Sequence, residues 1–439
     1  MRNGFIFDEN KCVGCKACVA ACMLENGWTL PPRTIFTYNS DAHPFLPVTH
    51  LSMACNHCER PVCSDSCPAK AFHTESATGI VLVDELKCIG CRYCKWSCPY
   101  DAPLFDKTKG VVMKCNLCYQ RLTEGLTPAC ASACPTGALD YNEIPEIREG
   151  KTLSWFPETG MNPSIRIKSV PKPGRPVIIP ESRFSPDIFV SDKGAKSVLS
   201  EWSLIGFTCL VTLSVALLIS SFIRGIPADI ELFFTLTLLA GLISLFHLGK
   251  VFRAWRSPTN FTASPLSREI AMYLIYLVIS SAAVISKNSG FTLAACLAGL
   301  ILLTAIDNVY TFTDKRLEMK FHSGQTFLTG LIVASFLAGF VYSFLFIGII
   351  KLISTASYIA RNTDSPANIW LRFFRIAILI ISGASMVTGI SYPEPAIAGL
   401  FLSGEFIDRL LYYYDFNPLN INTLISKQIN TDLNEKKRG

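Results

Sequence analysis

Sixteen cysteines fall into four groups of four between Cys12 and Cys134. Cys12, Cys15, Cys18 and Cys22 are separated by two, two and three residues, and Cys88, Cys91, Cys94 and Cys98 repeat that spacing. Cys55, Cys58, Cys63 and Cys67 are separated by two, four and three residues, and Cys115, Cys118, Cys130 and Cys134 by two, eleven and three. Proline follows the last cysteine of three groups, as Pro68, Pro99 and Pro135; Met23 stands there in the first. Three thiolates this close wrap one corner of a cubane iron–sulfur cluster, while the fourth, beyond a turn, reaches a neighbouring one. A tetrahedral zinc site usually takes two separated C-x2-C pairs, and a third cysteine two residues further on suits it poorly. Zinc in a membrane assembly factor is the rival reading. Four ligands per cluster imply four 4Fe–4S clusters, and with no ligand position replaced, no three-iron centre is expected.

Four clusters in a small domain make an electron wire. The sequence shows no Gly-rich nucleotide loop and no room for a large cofactor domain, so the terminal chemistry is expected on a partner chain. Two stretches are duplicated. Residues 8–22, DENKCVGCKACVAAC, and 84–98, DELKCIGCRYCKWSC, agree at eight of fifteen positions, and CPAKAF at 67–72 echoes CPTGAL at 134–139. Duplicated small modules account for this.

The elements that must carry this wire differ sharply along the chain. The 439 residues carry a net charge of +6, with 50% hydrophobic and 17% charged residues. That balance excludes a disordered chain. The cysteine concentration excludes a simple channel, and the apolar second half excludes one soluble domain. The first ten residues lack a cationic stretch followed by an apolar core and hold no twin-arginine pair, so no secretory signal is read there and the cysteines are expected as metal ligands rather than disulfides. Eight prolines between Pro145 and Pro186 block helix and central strand. The expected domains are residues 1–144 with the clusters, a Pro-rich extended arm at 145–200, a membrane domain at 201–415 and a polar tail at 416–439.

Six runs carry no charge: 202–223, 232–249, 270–286, 288–306, 321–350 and 376–393. Each suits a membrane helix of roughly 20 residues. A seventh, 395–414, holds Glu405, Asp408 and Arg409, charges that face protein or a cavity in a span. Lys193, Lys196, Lys250, Arg253, Arg256, Arg268, Lys315, Arg316 and Lys320 flank the face shared with the cysteine domain. Arg224, Lys287, Lys351, Arg361 and Arg372 flank the other, joined by Lys427, Lys436, Lys437 and Arg438 of the tail. The bias places the cysteine domain on the cytoplasmic side of a bacterial inner membrane, with the periplasmic side as the alternative.

These motifs resemble the four-cluster electron-transfer subunit of molybdopterin oxidoreductases. Residues 55–63, CNHCERPVC, then KCIGCRYC at 87–94 and CPYDAP at 98–103 are most similar to the dimethyl sulfoxide reductase branch. HLGKVFRAWRSPTNFTASPLSRE at 247–269, and Gly404-Glu405 with Arg409, resemble that enzyme's haem-free anchor subunit. The chain thus looks like a fusion of the two subunits. The fold this implies is an α+β ferredoxin-like double module followed by an all-α polytopic bundle; seven helices are counted here, against eight in the family's anchor. The resemblance also implies a ligand pairing: Cys12, Cys15, Cys18 with Cys134; Cys115, Cys118, Cys130 with Cys22; Cys55, Cys58, Cys63 with Cys98; Cys88, Cys91, Cys94 with Cys67.

The histidines are His43, His50, His57, His73, His247 and His322; His247 alone lies within a span, and His322 stands at the boundary of one. A di-haem anchor needs four intramembrane histidines, so no haem is expected. His247 ends the second span and Glu269 begins the third, which places both on the cysteine domain's face. Quinol oxidation releases two protons; His247 suits one near neutral pH and Glu269 the other, with Arg253 on the quinone carbonyl or the glutamate. A snorkelling histidine and a helix-capping glutamate are the plain alternative. Tyr310, Asp307, Glu405 and Arg409 are weaker candidates, Tyr412–Tyr414 reads as an interfacial belt, Cys209 and Cys296 as packed thiols, and Arg166, Lys168, Lys172 and Arg175 as a solvated face. The expected function is oxidation of menaquinol from the membrane pool and delivery of electrons through four clusters to a molybdopterin catalytic subunit reducing an S-oxide or N-oxide. Alternatives are a tetrathionate, polysulfide or arsenate-type reductase as partner, or the same wire run backwards with a dehydrogenase partner reducing quinone. Ion translocation ranks lower, because it calls for buried acids across several spans and the mid-helix regions lack them. Nothing points to nucleic acid.

Overall fold

The computed structural model describes residues 2–38, 48–144, 159–168, 201–314, 322–361, 366–388, 395–416, 421 and 425. His43, Lys172, Arg175 and most of the proline-rich stretch and tail lie outside them. Two compact units divide the chain: Met1–Gly194 with Pro418–Gly439, and Ala195–Asn417.

The first unit is built from short elements. Its largest sheet has β1 (Arg2–Asp8) in the centre, antiparallel to β8 (Leu139–Ile144) and parallel to β9 (Ile165–Lys168). Phe5 and Phe7 of β1 point into the core, where Leu139, Ile165 and Ile167 meet them. The described part of the proline-rich stretch therefore packs on this unit: Arg166 and Lys168 alternate outward along β9, and Ser164 N donates to Asn56 O at 2.7 Å. Ile421 and Ile425, after the last helix, are buried in the same core.

Three hairpins complete the strands: β2 (Thr34–Tyr38) with β3 (Thr49–Met53), β4 (Phe72–Thr74) with β5 (Val81–Val83), and β6 (Leu104–Asp106) with β7 (Val111–Met113). Helices α1 (Ala17–Asn26), α2 (Val62–Asp65), α3 (Tyr93–Ser97), α4 (Tyr119–Thr123) and α5 (Ala129–Ser132) each begin beside a cysteine group. The duplicated sequence is a duplicated backbone. Gly14 and Lys16 are left-handed (φ 69° and 62°), as are Gly90 and Arg92 (φ 73° and 60°), so each repeat curls at the same two places around its second cysteine. Asp8 and Asp84 brace the two loops alike, accepting from Asn10 N at 3.0 Å and from Leu86 N at 2.9 Å.

The second unit holds eight helices among the described residues: α6 (Trp202–Arg224), α7 (Ile230–Leu245), α8 (Pro265–Ser286), α9 (Ser289–Asp314), α10 (Thr326–Ala338), α11 (Val341–Arg361), α12 (Pro366–Val387) and α13 (Pro395–Asp415). The uncharged run at 321–350, expected as one span, is two helices. It breaks at Gly339, whose φ of 77° ends α10 while Phe340 N donates back to Ser335 O at 2.9 Å, a left-handed helix stop that only glycine takes without strain. Among the described residues, five helices are long and apolar enough to cross a membrane: those at 202–224, 265–286, 289–311, 341–359 and 369–387.

The turn between β6 and β7 sets the register of β7, and Asp106 holds it. Its Oδ1 accepts from Thr108 N at 2.9 Å, Thr108 Oγ1 at 2.6 Å and Lys109 N at 3.0 Å. The Thr108 hydroxyl and these amides keep its carboxyl below the usual carboxylate range. A carboxyl whose pKa folding lowers stabilises the fold above the unfolded value of about 3.9 and loses that contribution as pH falls through the folded value. Asp106→Ala is expected to destabilise the hairpin by about 1.5 kcal/mol, seen as roughly tenfold faster amide exchange over residues 108–112, with the same factor throughout the neutral pH range.

Candidate functional site

Each cysteine group places its thiols through the same local device. The third cysteine lies in or just inside the first turn of a short helix: Cys18 in α1, Cys63 in α2, Cys94 in α3 and Cys130 in α5. Gly14 cannot carry a side chain, since a Cβ there would stand 2.7 Å from the His50 ring and its φ is positive. All sixteen thiols are free.

The thiols that feel each other's charge are drawn from different groups. Cys12 is acted on by Cys18, Cys134 and Cys15, and Cys22 by Cys130, Cys118 and Cys18. Cys63 is acted on by Cys98, Cys55 and Cys58, while Cys91 is acted on by Cys67 and Cys88. The fourth cysteine of each run therefore stands with the first three of another. Backbone amides point at several sulfurs: Ala71 N at Cys67 (3.3 Å), Val112 N at Cys88 (3.4 Å), Leu117 N at Cys115 (3.4 Å) and Leu139 N at Cys134 (3.4 Å). Burial pushes the Cys22 and Cys98 thiols up to about 12. At Cys134 burial pulls the same way but is outweighed by Leu139 N–H and the Thr136 hydroxyl, so its pKa falls. Among the described residues, no group of three or more His, Cys, Asp or Glu converges on a single metal ion.

Two cations are buried among these sulfurs, and neither stands out in the sequence. Arg33 is 1% exposed, with Nη1 donating to Ser52 Oγ at 2.9 Å and its guanidinium 4.4 Å over the Phe5 ring. Lys114, also buried, donates to Val81 O and to Cys115 O at 3.0 Å, and its charge acts on Cys63. Nothing in their spacing sets them apart from surface cations. Lys114 directly precedes Cys115 in the sequence, whereas Arg33 carries no such mark.

The second unit has its own buried charges. His247 lies past the end of α7, half-buried, with Nδ1 against Ser244 O. Arg253, half-buried, lies in the following 3-10 helix, Val251–Asn260. Ser264, not Glu269, caps α8, accepting from Ser267 N at 3.4 Å, so the capping alternative for Glu269 is set aside. Glu269 sits further along α8, buried, and the charges that act on it are those of Arg409 and Asp307. Asp307 of α9 caps α10, accepting from Thr326 N (2.8 Å) and Phe327 N (3.0 Å).

Arg409 donates to Thr208 Oγ1 at 3.1 Å and Gly324 O at 2.9 Å, and its guanidinium lies 5.4, 4.5 and 5.0 Å from the rings of Tyr310, Tyr412 and Tyr413. Tyr412 and Tyr413 are thus buried around a cation instead of forming an interfacial belt; Tyr414 alone is exposed. A cavity of about 180 Å³ runs between α6, α10 and α13, with Cys209, Leu213, Phe406, Glu405 and Arg409 in its wall. Cys296 is buried.

Lys351, Arg372 and Arg375 are not loop charges, although hydropathy places Lys351 and Arg372 at span ends. They lie inside α11 and α12, each at most 1% exposed. Lys351 meets Glu405 and, at 3.2 Å, Asp408; Arg375 bridges Glu405 at 3.2 Å and Asp408 at 3.0 Å. Arg372 grips both oxygens of Asp415 at 2.6 and 2.8 Å, and His322 Nε2 lies 2.9 Å from the same carboxylate. Gly324 N donates to His322 Nδ1, so Nε2 carries the proton and donates to Asp415. Gly404 lets α13 come this close to α12: a Cβ there would stand 2.7 Å from Ile378. The expectation that the mid-helix regions lack buried acids is corrected by Glu405 and Asp408 of α13, while the buried Glu269, Asp307 and Asp415 lie nearer helix ends.

A family model described as a 4Fe-4S dicluster domain matches residues 46–144. A component of the anaerobic dimethyl sulfoxide reductase of Escherichia coli is 42% identical over 156 residues, 33% of this chain and 76% of that one. Its Haemophilus influenzae namesake is 43% identical over the same shares. Through its iron–sulfur domain, this protein belongs to the family of the dimethyl sulfoxide reductase iron–sulfur subunits. A sulfite dehydrogenase subunit from Allochromatium vinosum is similar too, 35% identical over 36% of this chain and 79% of that one. A 4Fe–4S ferredoxin-type domain is thus followed by a multi-helix region suited to a membrane.

Removing one partner of a buried ion pair strands the other. Arg372→Ala is expected to cost about 3–5 kcal/mol, read as a lower aggregation temperature of the detergent-solubilised protein. Adding Asp415→Asn to that variant is expected to recover part of the loss.

Proposed function

We propose that this chain is the electron-transfer and membrane-anchor subunit of a respiratory molybdopterin oxidoreductase, oxidising menaquinol and passing electrons to a catalytic partner that reduces an S-oxide or N-oxide. The observation that carries the reading is the set of sixteen free thiols whose fourth members cross over between groups. The ligand sets are Cys12, Cys15, Cys18 and Cys134; Cys22, Cys115, Cys118 and Cys130; Cys55, Cys58, Cys63 and Cys98; and Cys67, Cys88, Cys91 and Cys94. Bound 4Fe–4S clusters would supply one-electron carriers that take the two electrons of a quinol one at a time.

The chain's own residues hold and shape these sites. Thiols with a raised pKa stay protonated until metal displaces the proton, so loading releases protons. Amides aimed at sulfur stabilise the thiolate form. In the helical unit a quinol gives up two electrons and two protons. His247 takes one proton, Glu269 the other, and Arg253 holds the quinone oxygen. Glu269, buried beside the charge of Arg409, has what a proton relay needs: a carboxyl out of water with a charge that can settle its anion. No haem is assigned to this unit.

An even number of crossings would bring residues 418–439, which group with the first unit, back to the face the chain started from. We place that face in the cytoplasm of a bacterial inner membrane, on the cation bias at the span ends. A second reading, electrons flowing from a dehydrogenase partner into quinone, draws on the likeness to a sulfite dehydrogenase subunit.

Menaquinol analogues are expected to reduce the clusters of the purified chain, bleaching their visible absorbance. His247→Ala and Glu269→Gln are expected to slow that reduction at least tenfold while dithionite still reduces both variants fully. Quinol reduction at the unaltered rate in both would remove them from the site.

A further inference from the structure

Among the described residues, Arg33 is the most deeply buried cation of the first unit, and protein atoms alone leave its environment incomplete. Its Nη1 has Ser52, but Nε and Nη2 are buried with no hydrogen-bond partner. No carboxylate is among the groups that act most strongly on it; those are the thiols of Cys130, Cys18, Cys115 and Cys22. Ser52, its one anchor, is itself 3.6 Å from Cys18 Sγ. Cys18 belongs to one proposed ligand set, and Cys22, Cys115 and Cys130 to the neighbouring one. The other half of the domain is built differently. Lys114 acts on Cys63, but its ammonium is engaged by Val81 O and Cys115 O.

A buried guanidinium without an anion is strongly unfavourable, and partner charge removes the penalty. A 4Fe–4S cluster with four thiolates is anionic and gains a further negative charge on reduction. A fixed cation with free N–H groups beside it stabilises the reduced form more than the oxidised one. Charge near a cluster and hydrogen bonds to its sulfurs are among the main determinants of its potential.

We propose that Arg33 is the shared counter-charge of the two neighbouring cluster sites formed by Cys12, Cys15, Cys18, Cys134 and by Cys22, Cys115, Cys118, Cys130, raising the reduction potential of both. It is a positioning and tuning residue, since no electron passes through it. The inference rests on the reading that these thiols hold clusters. It also divides the wire electrically into a half held at higher potential by Arg33 and a half whose buried cation, Lys114, is already engaged by backbone carbonyls.

The test is an EPR-monitored redox titration of the purified full-length chain and its Arg33→Gln, Arg33→Met and Arg33→Lys variants. In the two neutral variants, two of the cluster signals are expected to fall in reduction equilibrium at least tenfold, about 59 mV for a one-electron couple. The other two are expected to stay in place. Arg33→Lys keeps the charge and is expected to retain most of the potential. Iron lost from both neutral variants but kept in Arg33→Lys also supports the counter-charge. Assembled clusters with unshifted potentials in Arg33→Gln and Arg33→Met would overturn it, as would iron lost equally from all three. A wild-type chain that holds no clusters would instead defeat the underlying reading.

Discussion

Sulfur buried out of water governs the first unit. Cys18, Cys22, Cys55, Cys67, Cys88, Cys94, Cys115, Cys118 and Cys130 are buried in a domain whose strands are three to seven residues long. Left as thiols they are small, poorly reactive packing units, and burial holds Cys22 and Cys98 protonated. As ligands they are anions that the fold must satisfy in a low-dielectric core. The loops answer with left-handed turns at Gly14, Lys16, Gly90 and Arg92, amides aimed at sulfur, and two buried cations. Metal binding by ligands buried this way would be coupled to folding.

The helical unit faces the same constraint with a different answer. Its buried acids are matched by cations on neighbouring helices: Glu405 and Asp408 by Lys351 and Arg375, and Asp415 by Arg372. These pairs tie α11, α12 and α13 together where apolar side chains alone give no preferred register. Glu269 differs in kind. Its strongest cationic neighbour, Arg409, is shared with three tyrosine rings and Asp307. That shared cation is what the proposed proton relay at Glu269 draws on.

The cysteine ligands were legible because spacing alone constrains them: thiols two residues apart in a tight loop can face one object. The crossing of fourth cysteines between groups needs tertiary structure, since Cys22 and Cys115 are far apart in sequence. Arg33 was illegible for the same reason, as an arginine between a proline pair and a strand looks like any surface cation. Lys351 and Arg372 misled because hydropathy takes a charge to mark a span's end, whereas pairing across helices lets it sit inside one. The break at Gly339 left no mark in hydropathy, because no charge accompanies it. β9 was hidden in a proline-rich stretch, since four alternating residues, Ile165–Lys168, are too short a pattern to outweigh the prolines around them.

The central claim is that these sixteen cysteines hold four cubane clusters. Its most direct test is iron and acid-labile sulfide analysis of the anaerobically purified chain, combined with EPR spin quantitation after dithionite reduction. The account requires about sixteen iron and sixteen sulfide per chain, with four interacting one-electron-reduced clusters. Stoichiometric zinc without sulfide, or iron for two clusters or fewer in protein that is folded and monodisperse, would contradict it.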